Sequence, residues 1–275
     1  MNSEYVKDSK FLDIYPKEWK KEIEVDDCTI LQYRNLEHFK YHMKNIVQRT
    51  DMKCGVSYKK ALKDMLTGVP VIDVDNYEVI KNSVKNNLLK RGLISETVYE
   101  SYKYDVQGDI VDVAKIIAED PNCCLVPNES YKNYFYELYI NVSYSSGVED
   151  SNVRDSISKI LATVELLERE HIYIKITLLD TSLYVNDGSG KNHLLTIIPL
   201  FSHRDIKNIR TMSSVLNERL LRKFMFALSE DYYGDDLSGG YGEPKALTHA
   251  INCYNIDEVE LASSIINQVV QGGTR

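Results

Sequence analysis

YELYINV at residues 136–142 and IYIKITLL at residues 172–179 are short apolar runs, rich in the β-branched and aromatic residues typical of strands. Between them, apolar side chains recur every three or four residues from Val153 to Leu167, which is the spacing of one buried face of an α-helix. Two strands joined by a helix of about five turns are the components of a parallel crossover. The sequence therefore predicts an α/β fold centred on this unit.

The segments that follow this unit predict an extension of the same sheet and helices that cover it. Residues 182–185 and 194–198 have strand character and flank the turn-rich stretch 186–192, a pattern that predicts a β-hairpin. Apolar positions at helical spacing over 212–228 and 261–270 predict two amphipathic helices. We expect helices on both faces of the sheet.

The first hundred residues predict mainly helices. The predicted helices share apolar side chains at three- and four-residue steps or a recognisable capping residue, and they cover residues 36–47, 57–67, 75–91 and 95–104. We therefore expect a helical N-terminal region over residues 1–103. An α/β domain that ends in a C-terminal helix is expected over residues 104–275.

The composition is that of a folded protein. Hydrophobic residues make up 43% and charged residues 27% of the 275 residues, which excludes a disordered or fibrous chain. No run approaches the ~20 apolar residues that a membrane-spanning helix needs, and the first residues lack an apolar signal region. We expect a cytoplasmic protein without a membrane contact. The net charge of −8 comes without a block of lysine or arginine, which argues against a dedicated nucleic-acid-binding protein but leaves a local basic surface open.

The sequence contains no motif of a common enzyme mechanism. The five cysteines are odd in number and have no C-x-x-C spacing, so we expect reduced, structural thiols. His38 and His42 lie four residues apart, but the HExxH pattern of a zinc protease is missing. Neither a P-loop nor a G-x-G-x-x-G dinucleotide motif occurs. We therefore assign no catalytic residue.

The loop after the first strand of the crossover carries the main candidate binding residues. Asn141, Ser143, Ser145 and Ser146 follow that strand directly, and ligands of open α/β sheets bind beyond the carboxyl ends of the strands. The next helix presents its positively polarised N-terminus to the same place. Asp180 ends the second strand and is expected at the same edge. The oxygen atoms of these side chains are ligands that magnesium accepts.

This strand–loop–helix unit resembles the von Willebrand factor A superfamily, whose first strand ends in Asp-x-Ser-x-Ser. Ser143 and Ser145 match the two serines, while Asn141 stands where the family has its aspartate. The resemblance covers residues 136–230 and implies a Rossmann-like sheet flanked by helices. It makes Ser143, Ser145 and Asp180 candidate magnesium ligands. The alternative is that these residues cap a helix and close a turn.

A second resemblance concerns YDVQGDIVDV at residues 104–113, DPNC at residues 120–123 and the strand and serine–glycine loop that follow. The order of these blocks is similar to that in an uncharacterised family of phages and other mobile elements, over residues 54–231. It implies a phage protein, located in the host cytoplasm or in the virion. It also implies that Asp105, Gly108, Asp109 and Asp112 act together.

The acidic residues of this second block have two interpretations. Asp105, Asp109 and Asp112 are three carboxylates that could bind a divalent ion, as in phosphoryl-transfer sites. Alternatively, Asp109 caps a helix that begins near Ile110, and Asp112 complements the positive N-terminus of that helix. Both interpretations stay open.

Aromatic residues crowd the segment around the first strand. Five tyrosines and Phe135 lie between residues 131 and 144. Such a cluster suits a protein interface, an ordinary buried strand or a surface that stacks bases. Base stacking is normally accompanied by arginine or lysine, and Lys132 is the one basic residue of this segment.

Together, these patterns favour a non-enzymatic accessory protein of a phage or mobile element. We expect it to bind a protein partner at the carboxyl edge of the sheet, formed by Asn141, Ser143, Ser145 and Asp180. Two alternatives are a magnesium-dependent nucleic-acid-processing factor that uses the aspartate cluster, and a structural component of the virion.

Overall fold

A computed structural model describes residues 16–22, 28–46, 57–68, 73–95, 102–107, 110–127, 133–186, 190–205, 207, 209–233 and 243–272. The strands are β1 (Cys28–Gln32), β2 (Tyr102–Asp105), β3 (Ile110–Val111), β4 (Cys124–Pro127), β5 (Tyr134–Asn141), β6 (Ile172–Asn186), β7 (Gly190–Phe201), β8 (Glu243–Pro244) and β9 (Ala250–Asn252). The helices are α1 (Trp19–Glu22), α2 (Leu36–Asn45), α3 (Tyr58–Thr67), α4 (Val74–Lys90), α5 (Val113–Ile117), α6 (Asp150–Arg169), α7 (Ile209–Val215), α8 (Glu218–Tyr233) and α9 (Glu258–Gly272).

The main sheet has the strand order β1-β7-β6-β5-β9. Strands β5 and β6 are parallel, β9 is parallel to β5, and β1 is parallel to β7. Strands β6 and β7 form the predicted antiparallel hairpin, and the short β8 pairs with the far end of β6. The predicted α/β fold is confirmed: a mostly parallel sheet is flanked by helices, as in Rossmann-like folds.

The predicted crossover β5–α6–β6 is present, but its second strand is longer than expected. β6 runs for 15 residues without a break, whereas the sequence predicts two strands separated at Asp180–Thr181. The polar side chains at this point are typical of a strand end. They are tolerated inside a strand because other parts of the chain satisfy them with hydrogen bonds.

The two faces of the main sheet are covered differently. A large core lies on one face and contains buried side chains from α2, α3, α4, α6 and α9. The second face carries a smaller core, formed by Trp19, Ile30, Tyr139, Leu179, Leu195, Ile197 and Leu247. Among the described helices, the four-residue α1 is the one that contributes to this second core. The helices are therefore concentrated on one face rather than shared evenly between both.

Trp19 anchors α1 to the second face. Its side chain is fully buried, and its ring meets the ring of Tyr139 edge to face at 5.0 Å. Its Nε1 atom donates a hydrogen bond to the carbonyl oxygen of Thr248 at 2.6 Å. This one side chain therefore joins the N-terminal segment, β5 and the segment before β9.

The N-terminal region contains two strands, although the sequence predicts mainly helices there. β1 lies within the predicted helical region and pairs with β7, some 165 residues further along the chain. Tyr102–Asp105 is strand β2 where the sequence predicts the end of a helix; residues 96–101 lie outside the described part. Strands β2, β4 and β3 form a separate antiparallel sheet. The predicted boundary between residues 103 and 104 stays a prediction.

The helix ends follow ordinary capping chemistry. Ser57 caps α3 by accepting a hydrogen bond from the Lys60 N–H, and Gly68 ends this helix with φ +66°, as the sequence predicts. α4 is capped by Asp73 and begins at Val74, one residue before the predicted start at residue 75. The first turn of α9 is capped by Asp257, whose carboxylate accepts hydrogen bonds from two backbone N–H groups.

Glu165 of α6 connects α4 to the rest of the fold. Its Oε1 atom accepts hydrogen bonds from Lys81 at 2.5 Å and Arg169 at 3.0 Å, and its Oε2 atom accepts one from Tyr77 at 3.0 Å. Burial alone would raise the pKa of Glu165, but Lys81, Tyr77 and Arg169 together lower this pKa below its ordinary value. The carboxylate is therefore ionised in the folded protein at a pH where the unfolded chain begins to take up protons.

We predict that Glu165→Gln lowers the free energy of unfolding at neutral pH, and that the difference from wild type shrinks in acid. A carboxyl group whose pKa is depressed by folding stabilises the native state above its unfolded pKa of about 4.3, and this stabilisation is lost as the pH falls through the lower folded pKa. Urea unfolding of both proteins from about pH 7 to about pH 3 measures this difference.

Glu78→Gln is the matched control, because the carboxylate of Glu78 is 54% exposed and lies 3.9 Å from Lys81. It should change the free energy of unfolding at neutral pH by less than about 0.5 kcal/mol, because this side chain is largely exposed. Parallel stability curves for Glu165→Gln and wild type would contradict the role assigned to Glu165.

Candidate binding site at the carboxyl edge of the sheet

The carboxyl edge of the main sheet is the place where β6 changes its neighbour. β5 pairs with β6 as far as Asn141 and Leu179, and β8 pairs with β6 from Ser182 onward. Between these two partners, the backbone of Asp180 and Thr181 has no regular strand beside it on that side. The buried polar groups at this gap need hydrogen-bond partners from elsewhere.

Ser143 fills this gap. Its hydroxyl donates a hydrogen bond to Oδ1 of Asp180 at 2.6 Å and accepts one from the Thr181 N–H at 2.6 Å. The Ser143 side chain therefore does for β6 what the backbone of a neighbouring strand would do. Both Ser143 and Asp180 are buried, with about 5% of each exposed.

Asn141 holds the loop and the following segment together. Its Oδ1 atom accepts a hydrogen bond from the Ser143 N–H at 3.1 Å. The hydroxyl of Thr181 lies 3.4 Å from this atom and donates its one hydrogen to the carbonyl oxygen of Lys245 at 2.5 Å. The Nδ2 atom of Asn141 donates to the carbonyl oxygen of Lys245 at 2.8 Å. The Cys253 N–H donates to the backbone oxygen of Asn141 at 3.0 Å, which brings β9 to the same point.

The structure thus brings together three of the residues singled out from the sequence, namely Asn141, Ser143 and Asp180. Ser145 and Ser146 belong to the same loop but are exposed. Sequence reasoning missed the contributions of Lys245, which offers its backbone carbonyl, and Thr181. Lys245 lies about a hundred residues from Asn141 and has no local signal; the polar pair Asp180–Thr181 inside an apolar strand is the one signal that points to this network.

Arg222 and Cys253 lie next to this network. The guanidinium of Arg222 lies 4.3 Å from the centre of the Tyr144 ring, within the range of a cation–π contact. Burial, together with the nearby charge of Asp180, raises the pKa of the Cys253 thiol to about 12. Cys253 therefore stays protonated at neutral pH and is unsuited to act as a nucleophile.

The edge does not have the geometry of the magnesium site that the family resemblance implies. The Ser143 hydroxyl already uses its hydrogen and a lone pair within the protein, and the Asn141 oxygen accepts a hydrogen bond from the Ser143 N–H. Ser145 is exposed rather than directed into the buried network. Within the described residues, no group of three or more His, Cys, Asp or Glu side chains is arranged to hold a metal ion. The residues that are present do not fit a magnesium ion.

The aspartate cluster is partly described. Asp112 caps α5 by accepting hydrogen bonds from the N–H groups of Ala114 and Lys115, and Tyr104 donates its hydroxyl to the other carboxylate oxygen at 2.8 Å. The hydrogen bond from Tyr104 lowers the pKa of Asp112. The carboxylate of Asp105 accepts a hydrogen bond from the Val106 N–H at 2.7 Å. The helix begins at Val113 and is capped by Asp112, whereas the second interpretation of the sequence has Asp109 as the cap; Asp109 itself lies outside the described residues.

The helix that Asp112 caps has an exposed apolar face. Val113, Ile116 and Ile117 lie on the same side of α5 and are 65%, 50% and 78% exposed; these three residues are called the α5 apolar face. None of the residues of α5 is buried. The sequence pattern predicts a helix here, but the apolar spacing gives no indication that this side is open to solvent.

Residues 20–271 match the model of a family described as a domain of unknown function, DUF7192. The chain belongs to this family. The DUF7192 match spans both the helical region and the sheet, so it includes the carboxyl edge and the α5 apolar face. Neither the curated proteins nor the solved structures give a significant match.

No described helix of this DUF7192 domain combines the length and the apolar character that crossing a membrane requires. Among the described residues, the side chains of Cys123, Cys124 and Cys253 form no disulfide bond.

We predict that Ser143→Ala lowers the free energy of unfolding by about 1–3 kcal/mol, because it leaves a buried carboxylate oxygen and a buried backbone N–H without their partner. Chemical denaturation measures this loss. Ser145→Ala is the matched control in the same loop and should change stability by less than about 0.5 kcal/mol, since Ser145 is exposed. Equal effects of the two substitutions would contradict the assigned network.

We also predict that millimolar magnesium leaves the melting temperature unchanged relative to sodium chloride of the same ionic strength. A site that binds an ion in the native state raises the melting temperature by mass action, and the oxygens of Asn141 and Ser143 are already engaged. A magnesium-dependent rise that disappears in Ser145→Ala would restore the metal site.

Proposed function

We propose that this protein is a non-enzymatic protein-binding module. The observation that carries the proposal is the α5 apolar face. An isolated exposed apolar residue is ordinary, but a helix that turns three neighbouring apolar side chains to solvent marks an interaction site. No catalytic arrangement competes with this reading at the carboxyl edge, where the polar groups are engaged with one another.

The charges around α5 define the chemistry of the partner. Asp112 precedes the helix, and Glu119 and Asp120 follow it. The single cation of the helix, Lys115, is paired with Asp120 at 3.0 Å and lies 3.6 Å from the centre of the Tyr104 ring. An apolar centre with an acidic border is complementary to an apolar surface bordered by lysine or arginine.

The loop at the carboxyl edge is the second contact surface that we propose. The buried network of Asn141 and Ser143 fixes the loop, while Ser145 and Ser146 remain exposed. A rigid loop loses little conformational entropy on binding. The sequence resemblance to a family of phages and other mobile elements supports an accessory role in a mobile element.

The partner can be identified by site-specific photo-crosslinking in the native cell. A photoreactive amino acid at position 117 should crosslink one protein species, and the same amino acid at position 270 should not. Val270 is a matched position, because it is an apolar residue of α9 that is 54% exposed. Crosslinks between copies of the chain itself would overturn binding to a different protein.

Affinity measurements with the purified partner then test the surface. We predict that Ile116→Asp together with Ile117→Asp weakens binding at least about tenfold, or 1.4 kcal/mol, because an unpaired carboxylate would be buried in an apolar contact. Val270→Asp should leave the dissociation constant unchanged. If Ser145→Ala with Ser146→Ala weakens binding and the aspartate variant does not, the edge loop is the binding surface. The assignment of the α5 apolar face as the binding surface is then wrong.

A further inference from the structure

A groove of about 650 Å³ lies at the opposite edge of the sheet, where β5 and β6 begin. Its walls come from the first residues of these strands, the C-terminal part of α6 and residues 203–205 and 207, which follow β7. A volume of this size accommodates a small organic molecule. The groove is distinct from the carboxyl-edge network, because β5 and β6 begin at the groove and reach the network only further along each strand.

One wall of the groove is aromatic. Phe135 and Tyr173 are direct neighbours across β5 and β6, and their rings are stacked, with centres 5.9 Å apart and planes at 28°. The His203 ring meets Phe135 edge to face at 5.3 Å. Phe135 is nevertheless 62% exposed. This wall therefore offers an open aromatic surface on which a planar ring can stack.

The loop that forms the other wall is fixed by a buried ion pair. The ammonium group of Lys207 is almost fully buried and lies 2.6 Å from Oε1 of Glu168. It also donates hydrogen bonds to the backbone oxygens of Ser202 at 3.1 Å and Asp205 at 3.3 Å. The position of the intervening residues His203 and Arg204 is thereby set before any ligand arrives. His203 is held further by its Nε2 atom, which donates to the carbonyl oxygen of Tyr136 at 3.1 Å.

The carboxylates of the groove are already engaged. Glu165 accepts hydrogen bonds from Lys81 and Arg169, and Glu168 is paired with Lys207. The carboxylate of Asp205 accepts a hydrogen bond from the Ser202 N–H at 2.6 Å. Arg204 differs: across the described residues, its guanidinium makes no hydrogen bond or ion pair. Among its described residues, the groove thus presents an arginine without an ion-pair partner beside an aromatic wall; the adjacent Asp205 carboxylate is turned back to the Ser202 N–H.

We propose that this groove binds a small anion that carries a planar ring, of the chemical class of nucleoside monophosphates. The ring stacks on Phe135, and the anionic group pairs with Arg204, whose planar guanidinium binds phosphate oxygens in a bidentate manner. Arg204 is the one cation without an ion-pair partner among the described residues that line the groove, and this, together with the net charge of −8, favours one nucleotide over a nucleic-acid strand, whose binding requires many phosphate contacts.

Calorimetric titration of the full chain with adenosine monophosphate tests this site. We expect binding of adenosine monophosphate at least about tenfold tighter than binding of adenosine or of inorganic phosphate, each of which supplies one of the two contacts. Phe135→Ala and Arg204→Ala should each weaken binding about tenfold. Both residues are exposed, so these variants should fold; circular dichroism and the melting temperature verify this.

Tyr41→Ala and Arg91→Ala are the matched controls, because they remove an exposed aromatic residue and an exposed arginine at other places. They should leave the affinity unchanged. No binding of adenosine monophosphate at millimolar concentration, or equal effects of control and groove variants, would overturn the proposal. An oligonucleotide that binds more than about tenfold tighter than the mononucleotide would replace the small ligand by a single-stranded nucleic acid.

Discussion

The arrangement of the sheet depends on the hydrogen bonds of Ser143 at the point where β6 leaves β5. A strand that outlasts its neighbour exposes backbone N–H and C=O groups, and burying them without partners would cost about 1–3 kcal/mol for each group. Here β5 ends at Asn141 and β8 pairs with β6 from Ser182 onward, and the hydroxyl of Ser143 bridges the interval. The Ser143 hydroxyl, the Asn141 amide and the Lys245 carbonyl thus form a hydrogen-bonded link between β5 and β8, the two strands that successively pair with β6.

This hydrogen-bonded link explains why an Asn-x-Ser motif occurs at a place where α/β domains often bind ligands. The same oxygens that would coordinate an ion are the oxygens that satisfy the strand. A side chain that is fully engaged in this way contributes to folding rather than to ligand chemistry. The next loop residues, Ser145 and Ser146, are exposed and available for contact with other molecules, because the buried hydrogen bonds that anchor the loop are made by Asn141 and Ser143.

The parts of the fold that could be predicted are those whose partners are close in the sequence. The crossover β5–α6–β6 and the β6–β7 hairpin have their signals within a few dozen residues, so periodicity and turn residues suffice. β1 could not be predicted in this way, because its five residues are ordinary and its partner β7 is far along the chain. The same limit applies to the candidate site: the polar run at Asp180–Thr181 is visible, whereas the carbonyl of Lys245 that completes the network is set by tertiary structure alone.

The solvent exposure of side chains is a second property that sequence patterns do not predict. Val113, Ile116 and Ile117 have the spacing of a buried helix face, yet α5 buries none of its residues. Phe135 has the alternation expected of a strand, and its ring is nevertheless open to solvent beside Arg204. The two surfaces proposed for a protein partner and for a small anion both arise where a local apolar pattern lacks the tertiary cover that usually accompanies it.

Trp19 gives the molecule a built-in spectroscopic reporter of one of its two cores. It is the single tryptophan among the residues of the chain, and it is packed against Tyr139 and bonded to Thr248 on the second face of the sheet. Emission from this indole therefore follows the docking of the short N-terminal helix, while far-ultraviolet circular dichroism follows the helices that cover the other face. A difference between the two signals during unfolding would separate the release of this segment from the unfolding of the helices that cover the other face.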